Sequence, residues 1–458
     1  MSSLNRNRNH RRAKSSKIAS QASAALHAVS SFKSALITFP PEILSSIFVF
    51  NLDDSSTSSS KTSFSTGRLL GSVCRYWRNI ALQTPALWSS IFISVSSDGD
   101  HYPQDPECLR THFERSKLQP LSVVLHMEYI DHIDFMVSIY ESEDNDTLPS
   151  YIQILHLLRE QADRVFNLAL YLTDHDLPEF VSIMADLEVH FTKLTKLIVE
   201  VENCDDPCEL VAAFSESPFL RTIHMWPCTP SPPYFPVTHL TNIVLGDTDA
   251  DDFSTILITF PMLQSADVTF VDNSEDKDTT LSPDMSIPPL QHLRTLRVRF
   301  RDDDFVTFDA FPDLFGLFNF PALSSLLLQL PQQDMQSHRR GPDALRTLND
   351  SLQSLANELI SFVGRCPNVV DFHLISACLD EQHVMSILER MTNVVVFSTA
   401  DISGRGRTLF TKDFLQELGD GKILPRLRDL SLELSRHGLC YSSTRYARVL
   451  NFDDASFA

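Results

Sequence analysis

Residues 288–300 read Pro-Pro-Leu-Gln-His-Leu-Arg-Thr-Leu-Arg-Val-Arg-Phe, and the placement of Leu293, Leu296 and Val298 within them decides the fold. The last two are one residue apart, as on a strand whose alternate side chains share a face, and the first stands in the turn feeding that strand. The same apolar-x-x-apolar-x-apolar spacing, often behind a proline, recurs along the chain. It appears as Leu118/Leu121/Val123, Val165/Leu168/Leu170, Leu194/Leu197/Val199, Leu220/Ile223/Met225 and Leu240/Ile243/Leu245. It continues as Leu263/Ala266/Val268, Leu293/Leu296/Val298, Leu323/Leu326/Leu328, Val369/Phe372/Leu374, Val394/Phe397/Thr399 and Leu427/Leu430/Leu432. A single unit of this kind cannot cover its own apolar face, so neighbouring units must stack.

Helical segments are expected between the strands, at Tyr151 to Asp163, Asp251 to Ile258 and Leu345 to Val363. In the last, Leu345, Leu348, Leu352, Leu355, Leu359 and Phe362 follow spacings of three and four. That stripe fits a helix packed on the outer wall of the stack better than a coiled coil. Successive strand matches from Leu194 to Leu427 lie about 29 residues apart on average, within the leucine-rich-repeat range. The region 118–458 therefore resembles an irregular leucine-rich-repeat solenoid, and the alternative for the same alternation is a series of unrelated αβ units.

Upstream the pattern changes. In Phe39-Pro40-Pro41-Glu42-Ile43-Leu44-Ser45-Ser46-Ile47-Phe48, proline suits a helix opening, where the first N–H groups lack partners, and Glu42 suits the dipole there. Ile43, Leu44, Ile47 and Phe48 continue a helical stripe. A Ser/Thr-rich loop follows from Asp53 to Thr66. A second helix is expected from about Arg68 through Leu69, Leu70, Val73, Cys74, Trp77, Ile80 and Ala81. Thr84-Pro85 ends it, and Ala86-Leu87-Trp88-Ser89-Ser90-Ile91 packs back.

These three elements, in this order over residues 36–93, resemble an F-box in the divergent form common in fungal proteins. Phe39 stands where that family usually has Leu, and the Ser/Thr insert lengthens the first link. The resemblance implies docking to the Skp-type adaptor of a cullin–RING ubiquitin ligase, with Phe39, Pro40, Pro41, Glu42, Ile43, Leu44, Ile47 and Phe48 as the adaptor-facing edge. Trp77, Leu87 and Trp88 would contribute from the later helices, some as support and some as contact. The expected fold is thus α/β: a small all-helical F-box-like module followed by the repeat array. The expected domains are a basic tail at 1–35, the module at 36–93, a polar connector at 94–117 and the array at 118–458.

Composition bounds the function. Glycine numbers 12 in 458 residues, where roughly 7% is usual, leaving few places for phosphate-cradling loops. Apolar residues make up 43% and phenylalanine alone numbers 31, so a large core is available. The formal charge is −21, yet residues 1–41 hold seven bases and no acid. That start admits three readings: a solvated tail, a nuclear import patch around Arg6 to Lys17, or a mitochondrial presequence. Nearly all the acidity falls on residues 94–458, a distribution that repels nucleic acid and favours neutral or basic protein partners. Without a membrane-length apolar run or a signal h-region, and with only eight cysteines, the expected location is cytoplasmic, nuclear or both.

Catalytic motifs are not found, so no enzyme activity and no cofactor is expected. Cys204-x3-Cys208 with His224-x3-Cys228 approaches zinc spacing, but Cys228 also matches the small-residue turn position of the repeat, and no metal is expected. Asp247-Thr-Asp249-Ala-Asp251 begins like a calcium loop but has Asp252 in place of the turn glycine and Ile258 in place of the final Glu. It reads as an acidic entry to a helix. The acidic stretches 271–280 and 301–304 read as solvated loops, or as a lure for a basic partner. The leading expectation is a non-enzymatic substrate receptor whose strand face, including His224, Arg297 and Gln329, recognises an unidentified target protein. The alternative is a non-catalytic repeat scaffold without a ligase role.

Overall fold

The computed structural model describes residues 39–53, 66–95, 106–127, 150–173, 177–184, 191–202, 217–226, 239–271, 289–300, 318–330, 342–376, 381–401, 411–434 and 447–451, with Leu210, Phe214 and Leu379. The chain divides into two compact units, residues 1–93 with 105–122, and residues 94–104 with 123–458.

The first unit contains α1 (Pro41–Asp53), α2 (Thr66–Val73), α3 (Arg75–Gln83), a 3-10 turn (Pro85–Trp88) and α4 (Pro106–Ser116), while β1 (Ser90–Val95) and β2 (Leu121–Met127) straddle the division. Leu44 and Phe48 of α1, Ile80 and Ala81 of α3, and Leu87 and Trp88 form one buried cluster. Trp88 donates its indole N–H to the Ala81 carbonyl at 2.8 Å, so the largest apolar side chain is buried without an orphaned donor. The helix expected to run unbroken from Arg68 is two helices. Cys74 is extended (φ −161°, ψ 169°), and its Sγ accepts the Trp77 N–H at 3.4 Å, so it ends one helix and caps the next. Residues 94–117, expected as a connector, contain α4, whose Leu109, His112, Phe113 and Ser116 are buried in this first unit.

The second unit holds α5 (Ser150–Arg159), β3 (Val165–Thr173), α6 (Leu177–Met184), β4 (Lys196–Glu202), β5 (Thr222–Trp226), β6 (Asn242–Thr248), α7 (Ala250–Thr259), β7 (Ser265–Phe270) and β8 (Thr295–Phe300). It continues with β9 (Ser325–Gln329), α8 (Pro342–Gly364), β10 (Asp371–Ser376), α9 (Glu381–Arg390), β11 (Val396–Asp401), α10 (Lys412–Gly419), β12 (Asp429–Leu434) and β13 (Ala447–Asn451). Its strands stand in the sheet in chain order, and from β3 to β12 each pairs with the next in parallel. This is an α/β repeat stack, and every recurrence of the apolar spacing read from the sequence falls on one of β2 to β12.

The turn chemistry explains the spacing. In Ser217-Pro-Phe-Leu220, Phe260-Pro-Met-Leu263, Phe320-Pro-Ala-Leu323, Cys366-Pro-Asn-Val369 and Leu424-Pro-Arg-Leu427, the last N–H returns to the first carbonyl. Proline pre-sets the second position of such a turn. The register is then passed on by single carbonyls that each accept two successive N–H groups of the following unit. Arg221 serves Thr241 and Asn242, Gln264 serves Arg294 and Thr295, and Ser324 serves Val370 and Asp371. Stacked inward side chains fill the core, as with Phe270 and Phe300 at 5.4 Å and Phe372 and Phe397 at 5.7 Å between ring centroids. Helix α8 buries Leu355, Leu359 and Phe362 completely, and Phe362 meets Phe320 edge-on at 5.7 Å, so it packs on the array as the stripe predicts. Among the described residues no helix is long and apolar enough to cross a membrane.

Candidate docking face

Helix α1 carries two apolar faces, and one of them supplies Leu44 and Phe48 to the buried cluster. Leu44 and Phe48, four residues apart, point inward, where Phe48 meets the half-buried Trp77 at 4.8 Å between ring centroids. Ile43, Ile47 and Phe50 follow the same three- and four-residue rule on the other side, one turn beyond Phe39. These four are 49%, 44%, 69% and 42% exposed, respectively. Pro40, Pro41 and Glu42 are also exposed at the opening of the helix. The approach is held: the Tyr76 hydroxyl donates to the Phe39 carbonyl at 2.7 Å, and the Pro40 carbonyl accepts the Ile43 and Leu44 N–H groups. Small soluble units rarely leave a contiguous apolar stripe in water, and such stripes mark interaction surfaces.

The predicted edge therefore sorts into two sets. Phe39, Pro40, Pro41, Glu42, Ile43 and Ile47 are presented to solvent. Leu44 and Phe48 turn inward to join Leu87 and Trp88 in the core, with Trp77 against them, because α3 and the 3-10 turn occupy that side of α1. Phe50, the most exposed member of the stripe, was not anticipated. Its signal is the continuation of the Ile43 and Ile47 spacing by three more residues.

The second unit presents a polar strand face. His224 aligns in register with Val244, Asp267 and Arg297 on consecutive strands. Asp267, only 9% exposed, receives a bidentate pair from Arg299 at 2.7 and 3.2 Å and lies 3.6 Å from Arg297. One carboxylate thus answers two guanidinium groups, leaving local positive charge on an acidic array. Trp226 is 43% exposed on this face and lies against Gly246, where no side chain intervenes. Of the outward residues proposed from the sequence, His224, Arg297 and Gln329 stand on the strands as expected, while Trp226, Asp267 and Arg299 were missed. Burial, with a smaller effect from Lys196, pushes the His224 imidazole down to about 4.

The zinc spacing cannot be followed, since Cys204, Cys208 and Cys228 lie outside the described residues. The calcium-like loop is a helix entry: Asp249 caps α7, its carboxylate accepting the Asp252 N–H at 2.8 Å. Among the described residues no three His, Cys, Asp or Glu side chains gather as metal ligands.

No family model and no curated protein matches the chain. Among solved structures it is similar to a chain in the crystal structure of the Rad7 and Elc1 complex in yeast, at 13% identity and a TM-score of 0.34, covering 85% of this chain and 94% of that one. It is also similar to a chain of the TLR13–ssRNA13 complex, at 13% identity and a TM-score of 0.24, covering 59% of this chain and 42% of that one.

Proposed function

We propose that the first unit is an F-box-like module that docks a Skp-type adaptor through the outer face of α1, and that the repeat array holds a target protein for ubiquitin transfer by a separate enzyme. The observation that carries the reading is the stripe Phe39, Ile43, Ile47 and Phe50, apolar and exposed on the outer side of α1. It occurs on the helix opened by Phe-Pro-Pro-Glu, where the family resemblance locates the adaptor. The chain itself contributes position and not chemistry: bringing target and transfer machinery together raises their effective concentration. Trp and Arg are the side chains that most often anchor protein interfaces, which makes Trp226, Arg297 and Arg299 the favoured target contacts. In the cell such a receptor would work in the cytoplasm, the nucleus or both.

Co-purification of the full chain with a Skp-type adaptor tests the reading. The variant Ile43→Asp/Ile47→Asp changes only exposed positions, so it is expected to stay folded by circular dichroism and lose the adaptor. Leu44→Ala instead opens a cavity in the core, costs about 2–5 kcal/mol of stability, and weakens adaptor binding only to the extent that it unfolds the unit. An intact, folded chain that fails to retain the adaptor removes the ligase reading and leaves the non-catalytic scaffold.

A further inference from the structure

Within the first unit, α2, α3, the 3-10 turn and α4 enclose a groove of about 250 Å³, lined by Gly67, Arg68, Gly71, Arg78, Trp88 and Arg115 among others. None of the residues lining it belongs to the α1 stripe. We infer that this groove binds the phosphate of a phosphorylated serine or threonine side chain presented by a partner protein.

The argument begins with charge. Three arginines line one small groove in a protein of net charge −21, and among the described residues none of the three is in an ion pair. Each is held by something other than a carboxylate. Arg78 donates from Nε to the Gly71 carbonyl at 2.9 Å, Arg115 lies 4.5 Å over the Trp88 ring centroid, and Arg68 reaches the Cys108 sulfur. None of these contacts supplies a negative charge. Buried His112, edge-on to Trp88 at 5.1 Å, registers the same field: burial lowers its pKa, the hydrogen bond with the Cys108 carbonyl opposes this, and Arg68 and Arg115 add smaller lowering effects.

The ligand class follows from charge and shape. A carboxylate brings one negative charge on two oxygens, whereas a phosphomonoester carries nearly two charges and offers three acceptor oxygens to planar guanidinium forks. The groove's apolar wall, made by the Trp88 ring, Ala81 and Leu82, suits the carbon chain that carries the phosphate. Gly67 keeps the floor open to Trp88, since a Cβ there would stand only 3.3 Å from the ring.

Isothermal calorimetry on the full chain tests the assignment with four probes: an alanine-flanked phosphoserine pentapeptide, its unphosphorylated form, its glutamate counterpart and inorganic phosphate. The phosphopeptide is expected to bind at least tenfold more tightly than the other three, less so as salt rises. Arg115→Gln should weaken it roughly tenfold, and Arg115→Lys, which keeps charge but not the fork, should weaken it less. Gly71→Leu fills the groove from a position where a Cβ meets nothing closer than 3.9 Å, so the folded variant should also lose binding. Equal affinity for the glutamate peptide or for free phosphate overturns the inference. So does full affinity in folded Arg115→Gln, or no saturable phosphopeptide binding below about 10 mM.

Discussion

Trp226 and Gly246 act as one feature of the strand face. A Cβ on Gly246 would overlap the indole, so Gly246→Ala must lift Trp226 from the sheet. The expected result is a loss of about 1–3 kcal/mol, typical of overpacking, together with a red shift in tryptophan emission, read by urea denaturation and fluorescence. His224, in the same strand, makes stability depend on pH. Its imidazole is lowered from 6.5 to about 4 in the folded chain, so between those values the unfolded chain binds a proton that the folded one does not. This contribution is therefore complete above pH 6.5 and lost as the pH falls toward about 4. His224→Leu should lose less stability than the parent across that window, measured as the difference in denaturation midpoints at each pH. Both residues were in plain view in the sequence, but only the register showed which neighbours they meet.

At the level of the element, the repeat strand is the most legible part of the chain. Period-two alternation is local, and the proline turns that precede β5, β7, β9, β10 and β12 are written within a dozen residues of those strands. Leu326 illustrates the energetics: fully buried on β9, it stands in register between Leu296 of β8 and Phe372 of β10. Leu326→Ala is expected to destabilise the array by about 2–5 kcal/mol, read by chemical denaturation. Helix boundaries in the first unit were less legible, because their punctuation is unusual. A cysteine sulfur caps α3, and Val73 and Leu69 continue an apolar stripe that is largely exposed and that in sequence looks like one long helix. Helix α4 was overlooked because its buried set, Leu109, His112, Phe113 and Ser116, is half polar, although Pro106 and Glu107 give the usual helix opening.

For the molecule as a whole, the division of charge is a property of sequence, with a basic first 41 residues and an acidic array. So are the α/β class, the stacking of strands in chain order and the helical unit before them. Each of these rests on short-range patterns, which survive being read without a structure because neighbouring residues along the chain remain neighbours in space. Tertiary structure alone decided which apolar side of α1 is core and which is surface, since that depends on where α3 and Trp88 pack, more than 20 residues away in sequence. It alone brought Trp226 to Gly246 and Asp267 to Arg299, and gathered Arg68, Arg78 and Arg115 around one groove. Those sites join residues 10 to 47 positions apart through register and packing, and no periodicity along the chain encodes such distances.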